Sequence, residues 1–290
     1  MYTWLILLIC LLVVLFLLTF IIVIISMFKE KYQDVNYNDI QGVIVEMRNH
    51  PSLPLVLKNF ANTFPTIPIT IVFGLKNKDF VLKSLPHINV KLLELNAENL
   101  DGLTYSKLLT STEFWDNIGN RKTTIIFQTD SGIIGSASDL KNFIEYDYCG
   151  APWEKNLRKH RKKLGIERDG WHTKGAVGNG GFSIRDTAIA RKHASLYGPI
   201  DSVPEDVVFS KLCEEDPDCK ICPAHIAKIF SVENTAGKNA WAFHKNHKKP
   251  LNKFNQKVLK LSDEAKPLGD VPDSFEWNPR LKYQILHRLP

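Results

Sequence analysis

The stretch TTIIFQTD, residues 123–130, decides the fold class, because a mostly apolar strand runs directly into polar residues there. Segments of strand and helix character alternate before it, a pattern typical of a parallel sheet covered by helices on both faces. Ligands of such sheets bind beyond the carboxyl ends of the strands, where loops and helix N-termini converge. Asp130 therefore leads the candidates for chemistry. The earlier segments predict strands at residues 41–47, 67–73 and 90–95 and helices at residues 53–64, 78–85 and 104–118.

Shorter elements follow Asp130. Residues 139–146 indicate a short helix and residues 148–150 a strand. Beyond them, the segment from Lys155 to Lys163 is dense in cations. We interpret this basic segment either as a solvated loop or helix face, or as a flexible lid that attracts a diphosphate or an acidic acceptor.

The first residues of the chain are strongly apolar. Residues 1–28 carry no charged side chain, residues 4–27 are nearly all apolar, and Lys29-Glu30-Lys31 follows at once. Such a run is long enough to cross the ~30 Å hydrocarbon core of a bilayer as one helix. The preceding positive charge and small-residue cleavage site of a secretory signal peptide are missing. We expect residues 1–28 to be an uncleaved, single-pass membrane anchor and residues 29–40 to be a linker.

The orientation of this anchor rests on separate signals. Lys29 and Lys31 follow the apolar run and no charge precedes it, so the positive-inside rule favours a cytosolic soluble part. The sequence has no Asn-x-Ser/Thr sequon, which agrees with that placement. A lumenal, type II arrangement is the open alternative.

Three of the five cysteines lie close together in the sequence, at Cys213, Cys219 and Cys222, with His225 just after them. Three interpretations stay open. The four side chains suit a tetrahedral zinc site, two of the cysteines suit a disulfide in a lumenal loop, and all three suit free thiols in a cytosolic one.

The charge of the chain is mildly basic. All 37 Lys and Arg and all 31 Asp and Glu lie after residue 28, and the net charge is +6. This balance is compatible with polyanionic ligands such as sugar nucleotides, or with an anionic membrane surface. It gives no reason to expect a nucleic-acid partner.

Asp130 and His244 are the candidate metal ligands. A carboxylate after a buried strand either caps the turn that follows or holds a divalent metal that neutralises a diphosphate. His244 lies among aromatic residues, and it is either packed in the core or an imidazole ligand to the same metal.

Two further motifs suit a substrate pocket. Gly178-Asn179-Gly180-Gly181 precedes an alternating strand, and it predicts either a tight hairpin or a wall where backbone amides contact sugar hydroxyls or phosphate. Pro204-Glu205-Asp206 has the composition of an ordinary helix start. A carboxylate held there and facing a pocket also suits a general base for an acceptor hydroxyl.

Taken in order, these motifs resemble the glycosyltransferase-like family long catalogued as a domain of unknown function, found in bacteria, fungi and large DNA viruses. The resemblance covers about residues 41–247, and the wider likeness is to GT-A enzymes. The matching segments are Val45-Glu46-Met47-Arg48-Asn49-His50-Pro51, Tyr105-Ser106-Lys107-Leu108-Leu109, Phe127-Gln128-Thr129-Asp130, residues 145–153, residues 178–185, Glu205-Asp206-Val207-Val208-Phe209-Ser210 and Phe230-Ser231-Val232-Glu233.

The resemblance implies a GT-A-like, Rossmann-type mixed sheet flanked by helices over residues 41–250, with a C-terminal extension over residues 251–290. It implies a metal, Mn²⁺ or Mg²⁺, held by Asp130 and His244. Gln128 departs from the Asp-x-Asp motif of GT-A enzymes, and its amide brings no charge to the site. The residues implied to bind the donor and its sugar are Lys107, Gln128, Thr129, Asp130, Asn179, Gly180 and Gly181.

The resulting hypothesis is a membrane-anchored, metal-assisted, inverting glycosyltransferase that moves a hexose or pentose from a nucleotide sugar to an acceptor hydroxyl. Asp206 acts as the base and Glu205 orients the acceptor or the base. The acceptor is a glycan, a lipid or a protein. The alternatives are a catalytically inactive sugar-nucleotide-binding protein, a membrane-tethered interaction protein and a nucleotidyltransferase.

Overall fold

A computed structural model describes residues 12–22, 35–153, 177–233, 239–245, 252–265 and 276–285. The chain divides into two units, Met1–Asn36 and Tyr37–Pro290. Residues 12–22 of the first unit are helical. Within the described ranges, no helix has the length and apolar character needed to cross a membrane. Most of the anchor predicted over residues 1–28, and all of the basic segment at residues 155–163, lie outside the described residues.

The second unit contains ten strands and eight α-helices among its described residues. The strands are β1 (Ile40–Glu46), β2 (Ile69–Phe73), β3 (Val90–Leu95), β4 (Thr123–Phe127), β5 (Ser131–Ile133), β6 (Tyr148–Pro152), β7 (Val177–Asp186), β8 (Ser231–Val232), β9 (Ala242–His244) and β10 (Trp277–Ile285). The helices are α1 (Leu53–Thr63), α2 (Lys78–Lys83), α3 (Gly102–Leu109), α4 (Thr112–Ile118), α5 (Thr187–Tyr197), α6 (Glu205–Glu215), α7 (Ala224–Phe230) and α8 (Lys253–Asp263).

Seven strands form one mixed sheet in the order β10-β3-β2-β1-β4-β7-β6. The four strands β3, β2, β1 and β4 are parallel. On one side β10 pairs antiparallel with β3, and on the other β7 pairs antiparallel with β4. β6 pairs antiparallel with β7 and so runs in the direction of the four parallel strands. β1 lies among the parallel strands and is buried along its whole length, as expected for an apolar strand with helices on both faces. The predicted mixed α/β sheet flanked by helices is confirmed.

A second, three-stranded sheet has the order β5-β9-β8. β5 begins one residue after Asp130, and its Ser131 pairs with His244 of β9. This pairing brings the end of β9 to the end of β4. The small sheet is therefore the element that places His244 beside Asp130.

The helix predicted over residues 104–118 is two helices in the structure. The Asp101 carboxylate accepts hydrogen bonds from the amides of Leu103 and Thr104 and so caps α3. The Ser111 hydroxyl accepts from the amide of Phe114 and caps α4. Each side chain satisfies amides that have no partner within the helix, so the sequence contains two N-terminal signals rather than one continuous helix.

One other local prediction was wrong, and one of two alternatives for the glycine motif is excluded. Residues 139–146 are not an α-helix, because a short 3₁₀ helix at Ala137–Asn142 and turns occupy this region. The glycines at residues 178–181 are not a hairpin, since they lie inside the ten-residue strand β7. β7 pairs with both β4 and β6, so these glycines are part of the main sheet.

The cysteine cluster contains a disulfide between Cys213 and Cys219. Cys222 is a buried free thiol and His225 is exposed. Two of the four side chains proposed for zinc are therefore bonded to each other, and His225 faces solvent. Of the three interpretations of these residues, the structure contains the disulfide.

Candidate active site

The candidate site lies at the carboxyl edge of the parallel strands. β1 ends in Glu46, whose buried carboxylate accepts a hydrogen bond of 3.0 Å from the Thr129 hydroxyl. The hydroxyl of Ser52, which precedes α1, donates to the Thr129 carbonyl oxygen. These contacts fix the turn that follows β4, and with it Gln128 and Asp130.

Asp130 and His244 form the centre of the site. His244 Nε2 lies 3.2 Å from Asp130 Oδ1 and 3.0 Å from Gln128 Oε1. On the other side of the ring, Nδ1 lies 3.5 Å from Glu233 Oε1. The Lys245 amide donates to the Asp130 carbonyl oxygen at 3.1 Å. The imidazole is thus enclosed by two carboxylates and an amide oxygen.

The two charges shift each other's protonation. Burial by itself lowers the pKa of His244, yet the Asp130 and Glu233 carboxylates outweigh it and raise that pKa to about 9. Burial acts to raise the pKa of Asp130, but His244 and Lys245 hold that pKa well below its usual range. In the free protein at neutral pH, the pair is an imidazolium beside a carboxylate.

Gly180 and Gly181 allow β7 to approach this centre closely. A Cβ at Gly181 would overlap the imidazole ring of His244, and one at Gly180 would overlap the carboxylate of Glu205. The Gly181 amide donates to the buried side chain of Asn179 at 3.2 Å. The glycine motif therefore serves close packing between β7, β9 and the start of α6.

Glu205 is paired inside the protein. Arg185 Nη2 lies 2.5 Å from Glu205 Oε2, and both side chains are almost completely buried. The guanidinium lies over the ring of Phe209, with 4.8 Å between its carbon and the ring centroid. Burial raises the pKa of Glu205 to about 7, with Arg185 opposing this rise and Asp206 adding to it.

Asp206 is half-buried at the first turn of α6. Its Oδ1 accepts a hydrogen bond of 2.8 Å from the Val207 amide, and its Oδ2 accepts one of 3.3 Å from the Gly180 amide. The carboxylate thus joins the start of α6 to the glycine segment. It lies beside the buried pair rather than inside it.

Tyr105 on α3 also reaches this group. The Gln128 side chain and Glu205 both act on its phenol, whose pKa is raised by burial. Lys107, the residue of α3 that the sequence indicated, is half-buried and two positions away. At about 100° per residue it lies on a different face of the helix from Tyr105.

Several buried polar atoms here lack a well-directed hydrogen bond. Among the described residues they include Tyr105 Oη, Asp130 Oδ1, Arg185 Nη1 and His244 Nδ1. Buried polar groups in proteins nearly always have such partners, so this cluster of exceptions marks the group as a candidate ligand site.

The sequence reasoning assigned no role to five residues of this site. Four of them are charged residues in or next to apolar strands, a pattern that could have indicated them from the sequence. The fifth, Tyr105, lies in a helix and has no such pattern around it. The five are Glu46, Arg48, Tyr105, Arg185 and Glu233.

The comparisons with known proteins agree with this architecture. The family model described as "Protein of unknown function (DUF5672)" matches residues 89–252. No curated protein matches the chain by sequence. The galactosyltransferase LgtC, solved with donor and acceptor sugar analogues, is similar at a TM-score of 0.50 and 14% identity, over 80% of this chain and 98% of that one.

Two other solved structures have lower scores. An active-site mutant of LgtC has a TM-score of 0.47 at 12% identity, over 80% of this chain and 98% of that one. The 4-diphosphocytidyl-2C-methyl-D-erythritol synthase of Anaerococcus prevotii DSM 20548 has a TM-score of 0.43 at 10% identity, over 78% and 95%. At 14% sequence identity, the similarity to the first LgtC structure concerns the fold alone, and this fold is GT-A-like.

Proposed function

The chain belongs to the DUF5672 family, and from its GT-A-like fold and its site we propose that it is a nucleotide-sugar-dependent glycosyltransferase. One observation carries the proposal. The Asp130–His244 pair, the glycine-lined wall at Gly180 and the carboxylate of Asp206 meet at one edge of the sheet. LgtC, a galactosyltransferase with this type of fold, was solved with donor and acceptor sugar analogues.

The donor occupies the side of the site next to β4 in this proposal. Gln128 and Asp130 face the diphosphate, and Asn179 with the backbone of Gly180 and Gly181 lines the sugar, whose hydroxyls suit amide donors and acceptors. Thr129 fixes the turn through Glu46. Lys107 stays a predicted donor contact. The sugar is a hexose or a pentose.

The residues fit a divalent metal, Mn²⁺ or Mg²⁺. The distances from His244 Nε2 to the Gln128 and Asp130 oxygens are 3.0 and 3.2 Å. Neighbouring ligands in an octahedron with bonds of roughly 2.1 Å lie about 3 Å apart. Glu233 faces the other ring nitrogen, as carboxylates commonly do behind a metal-bound imidazole.

Asp130 and His244 would hold this metal, with Gln128 and the donor diphosphate completing the shell. Within the described part of the chain, no three His, Cys, Asp or Glu side chains form a metal-binding group. A diphosphate ligand is therefore part of the proposed site. When bound, the metal supplies a Lewis acid that neutralises charge on the departing diphosphate.

Asp206 is the proposed base. Its carboxylate takes the proton of the acceptor hydroxyl while that oxygen forms a bond to the anomeric carbon of the donor. The bond from this carbon to the diphosphate breaks, and the nucleoside diphosphate leaves with the bonding electrons. A single displacement inverts the anomeric configuration. Glu205, fixed by Arg185, keeps the start of α6 in position.

Replacing Asp206 with Asn tests the base directly. We expect transfer to fall about 10²–10⁴-fold, the usual contribution of a general base. The donor is first identified by thermal shift of the full chain with a panel of nucleotide sugars and Mn²⁺, because a bound ligand raises apparent stability. The affinity of the variant for that donor should change less than twofold.

The matched control is Asp201→Asn, which removes an exposed carboxylate that lies before α6. It should transfer sugar at the wild-type rate. Full activity of the Asp206→Asn protein would remove Asp206 from the role of base, and a product of retained configuration would contradict the single displacement.

The membrane anchor over residues 1–28 remains part of the proposal, with two possible orientations. The charges after the anchor favour a cytosolic domain. The disulfide between Cys213 and Cys219 supports the lumenal alternative, since disulfides persist in oxidising compartments. Protease protection in sealed microsomes tests the choice: a lumenal domain survives until detergent is added, and a cytosolic one is digested at once.

A further inference from the structure

Two cations lie near Asp130. Arg48 binds the Glu46 carboxylate that also accepts from Thr129, and Lys245 contacts the Asp130 carboxylate. Arg48 follows β1 and Lys245 follows β9, and both interact with the Asp130 charge. We propose that Arg48 and Lys245 form a phosphate clamp that binds the diphosphate of the donor. This inference rests on the proposed function and adds the groups that hold the anionic part of the substrate.

Arg48 is fixed in place before any ligand arrives. Its Nε lies 2.8 Å from Glu46 Oε1 and its Nη2 lies 2.8 Å from Glu46 Oε2, while its own amide donates to Oε1 at 2.9 Å. Glu46 is buried, whereas a third of the Arg48 side chain is exposed. The Glu46 carboxylate binds the Nε–Nη2 edge of the forked guanidinium, and the other N–H groups of Arg48 point away from this edge and can bind a ligand.

Lys245 is held by its backbone. It has a φ of +46°, in the left-handed region that residues with a Cβ seldom adopt, and it is the one such non-glycine residue among those described. Its amide donates to the Asp130 carbonyl oxygen at 3.1 Å, which keeps the chain in this conformation. Backbone strain of this kind persists where surrounding structure imposes it, and it is concentrated at ligand sites.

The Lys245 side chain is directed to the same carboxylate. Its Nζ lies 3.9 Å from Asp130 Oδ2, and half of the side chain is exposed. A contact of this length leaves the ammonium hydrated and able to move toward a stronger anion. A diphosphate carries more charge than one carboxylate, so both cations gain by binding it.

The neutral side chain of Gln128 limits the negative charge that a diphosphate meets in this turn. An amide replaces a carboxylate beside Asp130, so Asp130 is the single anion of the Gln128-Thr129-Asp130 turn. His244 is buried, whereas Arg48 and Lys245 are both partly exposed to solvent. Their geometry matches the two preferred phosphate ligands, a rigid guanidinium fork and a flexible point charge.

The test compares diphosphates with nucleosides. Binding of UDP, GDP, CDP and ADP, and of the four matching nucleosides, is measured by calorimetry on the full chain with Mn²⁺ at low and at physiological salt. For the diphosphate that binds, we expect Arg48→Met and Lys245→Asn each to weaken affinity at least tenfold. The affinity for the nucleoside should change less than twofold, because the clamp contacts only phosphate.

The variants are chosen to separate charge from folding. Asn tolerates the left-handed region, so Lys245→Asn removes the cation without new backbone strain. Arg48→Lys keeps the charge that balances buried Glu46 but loses the fork, and it should recover part of the affinity. The control is Lys83→Met, which removes an exposed cation at the end of α2 and should bind as the wild type does.

Each outcome decides the proposal. Wild-type protein that binds none of the four diphosphates overturns the glycosyltransferase and the clamp together. Tight binding that is unchanged in Arg48→Met and in Lys245→Asn overturns the clamp alone. A loss confined to one variant overturns the pair, and an equal loss of nucleoside affinity shows a structural defect instead of a phosphate contact.

Discussion

Asp130 and Glu205 are two nearly buried carboxylates in one site, and their pKa values shift in opposite directions. Burial acts to raise both. Asp130 has His244 and Lys245 beside it, and its pKa falls well below the usual range. Glu205 has Arg185 as its cation and Asp206 as an anionic neighbour, and its pKa rises to about 7. The balance of neighbouring charges, rather than burial, decides the difference.

The difference separates two chemical tasks. A carboxylate that stays ionised at every working pH suits a metal and diphosphate site, which is the role proposed for Asp130. Glu205 suits a positioning role, because its side chain is buried and its contact with Arg185 joins the start of α6 to β7. Asp206 lies beside this pair and is the residue proposed to act on the acceptor hydroxyl.

The largest expected effect on stability comes from removing the cation that pairs with Glu205. Arg185→Met leaves a buried carboxylate without its counter-charge, which typically costs about 3–5 kcal/mol of unfolding free energy. Urea unfolding measures the loss. It should be larger at pH 8 than at pH 6, because Glu205 can escape its unpaired charge by taking a proton at the lower pH.

The double variant Arg185→Met with Glu205→Gln is the control for that experiment. It removes the charge together with its partner, so much of the stability should return. An equal loss in the single and double variants, at both pH values, would show that lost packing of Arg185 against Phe209 is the cause.

A smaller effect on the unfolding free energy comes from deprotonating His244, the partner of Asp130. Its folded pKa of about 9 lies above the unfolded value of 6.5. The native state therefore binds this proton more tightly, and the contribution is fully present below pH 6.5 and lost as pH rises to about 9. The decrease in unfolding free energy is at most about 3.5 kcal/mol, at about 1.4 kcal/mol per pKa unit.

Urea unfolding in a chelating buffer between pH 6.5 and 9 measures this loss, since a bound metal would displace the proton. The control is His244→Gln, which keeps a polar side chain without the titrating proton. Its unfolding free energy should vary less over the range. Parallel curves for the two proteins would contradict the raised pKa of His244.

The smallest expected effect concerns the packing of β7 against His244, the neighbour of Asp130. Gly181→Ala places a methyl group against the His244 ring, and overpacking of this kind costs about 1–3 kcal/mol. The midpoint temperature of thermal unfolding of the apo protein should fall, and so should the increase in that temperature when the donor and Mn²⁺ are added. Gly102→Ala is the control, because nothing lies within 4 Å of its added carbon. Equal behaviour of the two variants would remove the close-packing role of Gly181.

Most of the fold was readable from local patterns. The strand ending at Phe127, the helix after Asn77 and the helix start at Pro204 are set by apolar periodicity and turn residues close in sequence. The predicted helix at residues 104–118 failed at Ser111, where a cap inside an apolar pattern starts a new helix. The glycines of β7 were ambiguous because the same residues serve turns and close strand packing.

The sequence by itself determined most elements of the sheet and a short list of candidate polar residues at strand ends and helix starts, because these depend on neighbours along the chain. Only the tertiary structure decided which of them meet. Gln128 and His244 are 116 residues apart and come together through the pairing of β5 with β9. Arg185 reaches Glu205 because α6 packs on β7. Such contacts depend on strand order, so the opposite pKa shifts of Asp130 and Glu205 have no counterpart in any local pattern.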